Sequence, residues 1–172
     1  MKKGYIHVYT GNGKGKTTAA LGLALRAVGA DKKVFIGQFV KSMEYSEWKS
    51  LQYLKPFIDI ALLGKGCFVT KDPSQEDIMA AKEGLSFIKD IFTKQQYDVV
   101  ILDEITIAIF YHLLSVDEVL SLLDAKPDEI ELILTGRYAP QEIIDKADLV
   151  TEMQEIKHYY TQGVLSRTGI DK

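Results

Sequence analysis

The sequence predicts an α/β fold, a doubly wound and mostly parallel sheet of about six strands flanked by helices. Three observations carry that expectation. Short apolar runs such as "VVIL" are nearly continuous, as strands are when helices cover both faces of a parallel sheet. Longer helical patterns alternate with these runs along the chain, the order of βα units. A glycine- and lysine-rich stretch, "YTGNGKGKTTAALG", directly follows the first run, which makes a strand–loop–helix connection.

The elements follow in order. "YIHVYT" (residues 5–10) and "KVFIGQF" (33–39) are the first two strands. "FIDIALL" (57–63), "DVVILD" (98–103), "ELILT" (131–135) and "LVTEM" (149–153) supply four more. Residues 17–28 are apolar almost all round and are expected to form a buried helix that ends at Gly29. Ser74 is an N-cap for a helix reaching about Lys94, with Asp77 adding charge near its start. Ser115 and Glu118 form a capping box ahead of "VLSLL", and Pro140 opens a short helix through Ala147. Residues 41–45 and 64–73 are the long irregular loops, and Trp48 is expected to pack its own helix.

Composition bounds the function. The 172 residues suggest one domain, with 47% apolar and 26% charged residues as in ordinary globular chains. A net charge of −3 gives no electrostatic case for general nucleic-acid binding. The lone Cys67 excludes an internal disulfide and fits a reducing compartment. No apolar run approaches the roughly 18 residues of a membrane span, and "GYIHVYTG" is too polar for a signal sequence. A cytoplasmic location with no membrane partner is the expectation.

The glycine-rich stretch has the form of a Walker A loop, G-x-x-x-x-G-K-[ST], running from Thr10 to Thr17, with Thr10 in place of the first glycine. Such a loop turns backbone N–H groups toward phosphate oxygens. Lys16 is expected to contact phosphate, Thr17 to ligate Mg²⁺, and the helix N-terminus to add its dipole. Gly11, Asn12, Gly13, Gly15 and Thr18 complete the candidate nucleotide cradle. Lys14 is either a further phosphate contact or a solvated loop lysine. "DVVILDE" ends an apolar strand in two carboxylates, the Walker B arrangement, so Asp103 and Glu104 are candidate Mg²⁺ contacts. These motifs identify an ATP or GTP site without choosing a reaction. A hydrolase would use a carboxylate such as Glu104 to orient water, whereas a transferase would direct another nucleophile elsewhere.

"TGNGKGKTTAALGLALRAVG", "VFIGQFVK", "VVILDEIT", "ILTGR" and "KHYYTQGVLSRTGID" occur in that order. Together they closely resemble the P-loop ATP:corrinoid adenosyltransferases, over nearly the whole chain and least between residues 42 and 94. The resemblance implies a single RecA-like P-loop domain (residues 1–172) and a homodimer. It also implies a reaction in which a Co(I) corrinoid attacks the 5′ carbon of ATP and releases triphosphate. Lys16, Thr17 and Glu104 are then the catalytic candidates, with Mg²⁺ held at Thr17, Asp103 and Glu104. A flavoprotein reductase is the kind of electron donor such a reaction calls for. Longer family members carry residues that cover the site ahead of the position of Met1, and this sequence is expected to lack them.

Further candidates follow from position. Gln38 and Lys41 end the second strand at the ligand-binding edge of the sheet, and Arg137 in "TGR" is placed either for triphosphate or for a surface ion pair. Many family members carry a "GFTW"-like segment thought to line the corrin. Here Gly66-Cys67-Phe68-Val69 corresponds to it, which leaves Phe68 as the aromatic candidate. His112 is a second corrinoid candidate, His7 is expected to be structural, and His158 has no role legible from spacing. Besides adenosyl transfer, two classes stay open: a P-loop ATPase or kinase, and a non-catalytic ATP-gated module that binds a corrinoid or a protein.

Overall fold

The computed structural model describes residues 3–41, 45–64 and 73–171. The candidate corrin residue Phe68, with Cys67 beside it, lies outside them. Six strands form one sheet: β1 (Ile6–Thr10), β2 (Val34–Gln38), β3 (Ile58–Leu62), β4 (Val99–Asp103), β5 (Glu131–Thr135) and β6 (Leu149–Glu152). Their order is β3-β2-β4-β5-β1-β6 and every pairing is parallel, so the sheet is wholly rather than mostly parallel.

Helices cover both faces. α1 (Lys16–Val28) and α2 (Ser46–Gln52) lie on one side. α3 (Gln75–Lys94), α4 (Ile105–Phe110), α5 (Val116–Asp124) and α6 (Gln141–Lys146) lie on the other. The period-2 alternation of the strands separates two cores. Val99, Ile101 and Ile133 pack with Ala20 and Ala24 of α1. Val100, Leu102, Leu132 and Leu134 pack with Leu85, Ile88 and Leu122 of the opposite helices. This is why "VVIL" is apolar without interruption: each residue is buried on one side or the other.

The two capping boxes form as the sequence indicates, Ser74 with Asp77 and Ser115 with Glu118. α1 departs from the expectation of an all-round buried helix. Only Lys16, Ala20 and Ala24 are fully buried, and Leu25 is 58% exposed. The two alanines, one turn apart, bring the helix close to the sheet, and the larger side chains are left around the rim. Among the described residues no helix is long and apolar enough to cross a membrane.

The register brings the chemistry to one edge. Gln38 pairs with Asp103, Tyr9 with Thr135 and Thr10 with Glu152, so the carboxyl ends of four neighbouring strands and the edge strand β6 finish together. Open α/β sheets bind ligands just beyond that edge.

Candidate nucleotide site

The loop after β1 is shaped by its glycines and by the strand beside it. Gly11 and Gly15 adopt φ of 93° and 120°, values that a side chain disfavours. A Cβ on Gly13 would lie 2.7 Å from the Met153 carbonyl oxygen, to which the Gly13 N–H donates at 2.6 Å. The chain leaving β6 is thus laced to the loop, and only glycine admits that approach. α1 begins at Lys16 with no side-chain cap and no acidic residue in its first turn, so its leading N–H groups and dipole remain for an anion.

Lys16 is 7% exposed, and its Nζ donates to the carbonyls of Gly11 (2.8 Å) and Gly13 (2.7 Å). Burial lowers its pKa, and the neighbouring Arg137 adds to the fall against the opposing pull of Glu104 and Asp103. Asp103, whose side chain is 1% exposed, accepts four hydrogen bonds. Thr17 and Thr135 hydroxyls donate to Oδ1, each at 2.7 Å. Lys41 Nζ (2.8 Å) and Gln38 Nε2 (3.1 Å) donate to Oδ2. Burial alone would lower the Lys41 pKa, but Asp103, by charge and hydrogen bond, and then Glu47 carry it above the usual lysine range.

Glu104 occupies a left-handed backbone position, φ 61°, at the turn from β4 into α4. Its N–H donates to the Thr135 hydroxyl at 3.0 Å, which holds that strained turn against β5. Burial, and next the charge of Asp103, raise its pKa. Thr106, one residue into α4, donates to the Arg137 carbonyl at 2.8 Å. A Cβ on Gly136 would lie 2.2 Å from the Thr106 hydroxyl, so the "TGR" turn closes over Thr106 only with glycine there.

A cavity of about 680 Å³ opens above this edge. The loop from Gly13 to Thr18 forms its floor, with Glu104 and Arg137 beside it and Val40, Ile107, Tyr111, Tyr138, Tyr159 and Tyr160 as an apolar and aromatic wall. A second cavity of about 620 Å³ shares Lys14, Thr17, Thr18 and Glu104 and adds Lys41 and Glu47. The C-terminal segment lies between them. Lys14 Nζ donates to the Ile170 carbonyl and to Asp171 Oδ1, both at 2.7 Å. Asp171 also accepts from the Tyr159 hydroxyl and from Arg167, and these donors hold its pKa well below the usual carboxylate range.

The candidates divide by what surrounds them. Lys16, Thr17, Thr18, Gly13, Gly15, Glu104 and Arg137 line the first cavity. Gln38, a nucleotide candidate by position, is wholly buried, lines neither cavity and donates to Asp103. Lys14, expected at phosphate or in solvent, lines both cavities and also grips the C-terminal segment. Gly11 and Asn12 shape the loop without lining either cavity. His112 is exposed and outside both, while Tyr111 beside it enters the first. His7 pairs with Glu131 at 2.6 Å, a contact between the neighbouring strands β1 and β5 at the end of the sheet away from the cavities. Trp48 does not merely pack α2: its indole donates to Gln38 Oε1 at 2.7 Å. The roles of Thr135, Thr106 and Asp171 are not legible in the sequence, since "ILTGR", "VVILDEIT" and "RTGID" name their types but not their partners.

The family model for ATP:corrinoid adenosyltransferase BtuR/CobO/CobP matches residues 2–171. The corrinoid adenosyltransferase of Escherichia coli strain K12 is 36% identical over 171 residues, covering 99% of this chain and 86% of its own. Corrinoid adenosyltransferase CobA of Salmonella typhimurium strain LT2 is 37% identical with the same coverage. Among solved structures, the flagellar accessory protein FlaH of Methanocaldococcus jannaschii superposes with a TM-score of 0.60 at 13% identity, covering 88% of this chain and 72% of its own. The KaiC-like protein PH0186 of Pyrococcus horikoshii OT3 gives 0.59 at 16% identity, covering 90% and 74%. At such identities these two speak for the fold alone, a RecA-like P-loop sheet. Matched from end to end at the level of sequence, the chain belongs to the ATP:corrinoid adenosyltransferase family.

Proposed function

We propose that one P-loop domain, residues 1–172, transfers the 5′-deoxyadenosyl group of ATP to the cobalt of a Co(I) corrinoid and releases triphosphate. The observation that carries this is the convergence of positive groups on one cavity. Lys16, Arg137 and the uncapped N-terminus of α1 all border the same 680 Å³ space. In the reaction, cobalt supplies the electron pair for a new Co–C5′ bond while the C5′–O bond breaks, and that pair leaves on triphosphate. Charge therefore grows on the group that the loop cradles, where preorganised donors lower the barrier. Co(I) carries no proton to remove, so the site needs no general base. The wall of Val40, Ile107, Tyr111 and Tyr138 supports placing the adenosyl end opposite the loop.

Family chemistry implies Mg²⁺, and the side chains fit it. The Thr17 hydroxyl and the Asp103 carboxylate, in contact at 2.7 Å, are hard oxygen donors, with Glu104 next in chain. Among the described residues no group of three or more His, Cys, Asp or Glu could hold a metal. That suits an ion bound through one or two carboxylates and substrate phosphates. Thr17, Asp103 and Glu104 would hold Mg²⁺, and when bound it neutralises triphosphate charge. A homodimer, a flavoprotein electron donor, a role in cobalamin biosynthesis and a cytoplasmic location complete the proposal.

Anaerobic incubation with ATP, Mg²⁺ and chemically reduced cobalamin tests it. Adenosylated corrinoid by absorbance, with one triphosphate per turnover, is the expected result. ADP and phosphate as products, or ATP bound and left intact, would overturn it.

A further inference from the structure

Gln38 stands at the end of β2 opposite Asp103 on β4, and its side chain is wholly buried. Its amide has two unlike edges, an oxygen that accepts and an NH₂ that donates. Trp48, in the first turn of α2, carries an indole N–H that only donates. That N–H meets Gln38 Oε1 at 2.7 Å. The NH₂ edge is thereby turned to the other side, 3.1 Å from Asp103 Oδ2 and 3.2 Å from Glu47 Oε1. The reversed amide would aim its oxygen at two carboxylates and its NH₂ at another N–H, mismatches that burial makes costly.

Lys41 reaches the same two oxygens, at 2.8 Å and 3.5 Å. With Oδ2 of Asp103 held by an amide and an ammonium, Oδ1 faces the hydroxyls of Thr17 and Thr135. We infer that Trp48 is a positioning residue for the metal–nucleotide site: through Gln38, its indole N–H sets which edge of the amide meets Asp103, and so helps hold the carboxylate in the orientation that presents one oxygen to Thr17. Trp48 lines neither cavity, so it does not itself touch what they would hold. The inference rests on the proposal that ATP and Mg²⁺ meet at Thr17.

Trp48→Phe keeps an aromatic ring and deletes the donor. Calorimetric titration with ATP, with and without Mg²⁺ and without corrinoid, reads the effect on binding alone. Wild type should bind ATP more tightly with Mg²⁺. In the folded variant, affinity without Mg²⁺ should stay the same while half-saturating Mg²⁺ rises about tenfold, the scale on which a lost supporting partner weakens a metal site. Added to Gln38→Met, the substitution should change the Mg²⁺ requirement no further, because its relay is already gone. If that background does not fold, the single-variant titration still decides. An unchanged Mg²⁺ requirement, an equal loss of ATP affinity with and without Mg²⁺, or additive losses in the double variant would each overturn the inference. A wild-type protein indifferent to Mg²⁺ overturns the underlying metal assignment as well, and the corrinoid assay, run separately, distinguishes that failure from loss of the adenosyl-transfer proposal.

Discussion

Thr17 and Asp103 lie 86 positions apart in the chain, yet the threonine hydroxyl donates to Asp103 Oδ1 across 2.7 Å. The bond joins the first turn of α1 to the end of β4 and draws the phosphate loop and the acidic strand end into one site. Around it, Gln38, Lys41 and Thr135 leave Asp103 with four donors, and no buried polar side-chain atom among the described residues lacks a partner. Such a network holds its carboxylate in a single orientation before any ligand arrives.

Lys16→Ala should weaken ATP binding and depress transfer while the protein stays folded. The lost charge-assisted contacts are worth about 2 kcal/mol or more, a factor of roughly 30 in affinity. Calorimetry and the corrinoid assay measure the two effects, with circular dichroism as the check on folding. Near-normal transfer by a folded variant would remove the loop lysine from the mechanism.

Glu104→Gln should make the protein more stable at neutral pH. The native pKa of Glu104 is raised above its ordinary value of 4.5, so the native state binds more protons than the unfolded state over the interval above that value. Wild-type stability therefore falls as pH climbs from about 4.5 through the raised native pKa, and the amide escapes that loss. Melting curves from pH 4 to pH 8 should show the variant's advantage growing with pH. An advantage that is constant across the range would mean Glu104 does not titrate abnormally.

Lys41→Met removes a cation from between two carboxylates. Its charged hydrogen bond to Asp103 suggests a cost of about 1.5–3 kcal/mol in urea unfolding at pH 7. The native lysine pKa is raised, so the contribution is fully present below the unfolded value of 10.5 and is lost as pH rises through the native one. The difference from wild type should accordingly narrow in strongly alkaline buffer. If it does not, packing of the lysine stem rather than its charge is what the substitution removes.

Gly13→Ala should loosen the seam between the phosphate loop and β6. The added methyl would press on the Met153 carbonyl at 2.7 Å, and relieving it means moving backbone. Overpacking of this kind costs about 1–3 kcal/mol, and ATP affinity should fall with stability. Hydrogen exchange at the Gly13 and Met153 amides tells whether the damage is local: both should speed up while β2 and β4 keep their protection.

Local chemistry in the sequence was enough to determine much of this protein. Six β-rich runs became six strands: β2 and β4, at the centre of the sheet, are buried throughout and so tolerate little polar interruption, whereas β6 at its edge is exposed along its length. Both capping boxes formed, since a cap depends on residues three apart. The loop from Thr10 to Thr17 and the acids at 103 and 104 marked a candidate nucleotide site through spacing alone. α4, only six residues long and without a side-chain cap, had no such signal. What tertiary structure decided was partnership. That Gln38 bonds Asp103, that Lys14 holds Asp171 and that Trp48 orients an amide ten residues before it depend on the strand order β3-β2-β4-β5-β1-β6 and its register. A polar side chain at a strand end states which bonds it can make, but only the assembled sheet edge supplies the groups within reach, and burial then forces each donor onto the acceptor nearest it.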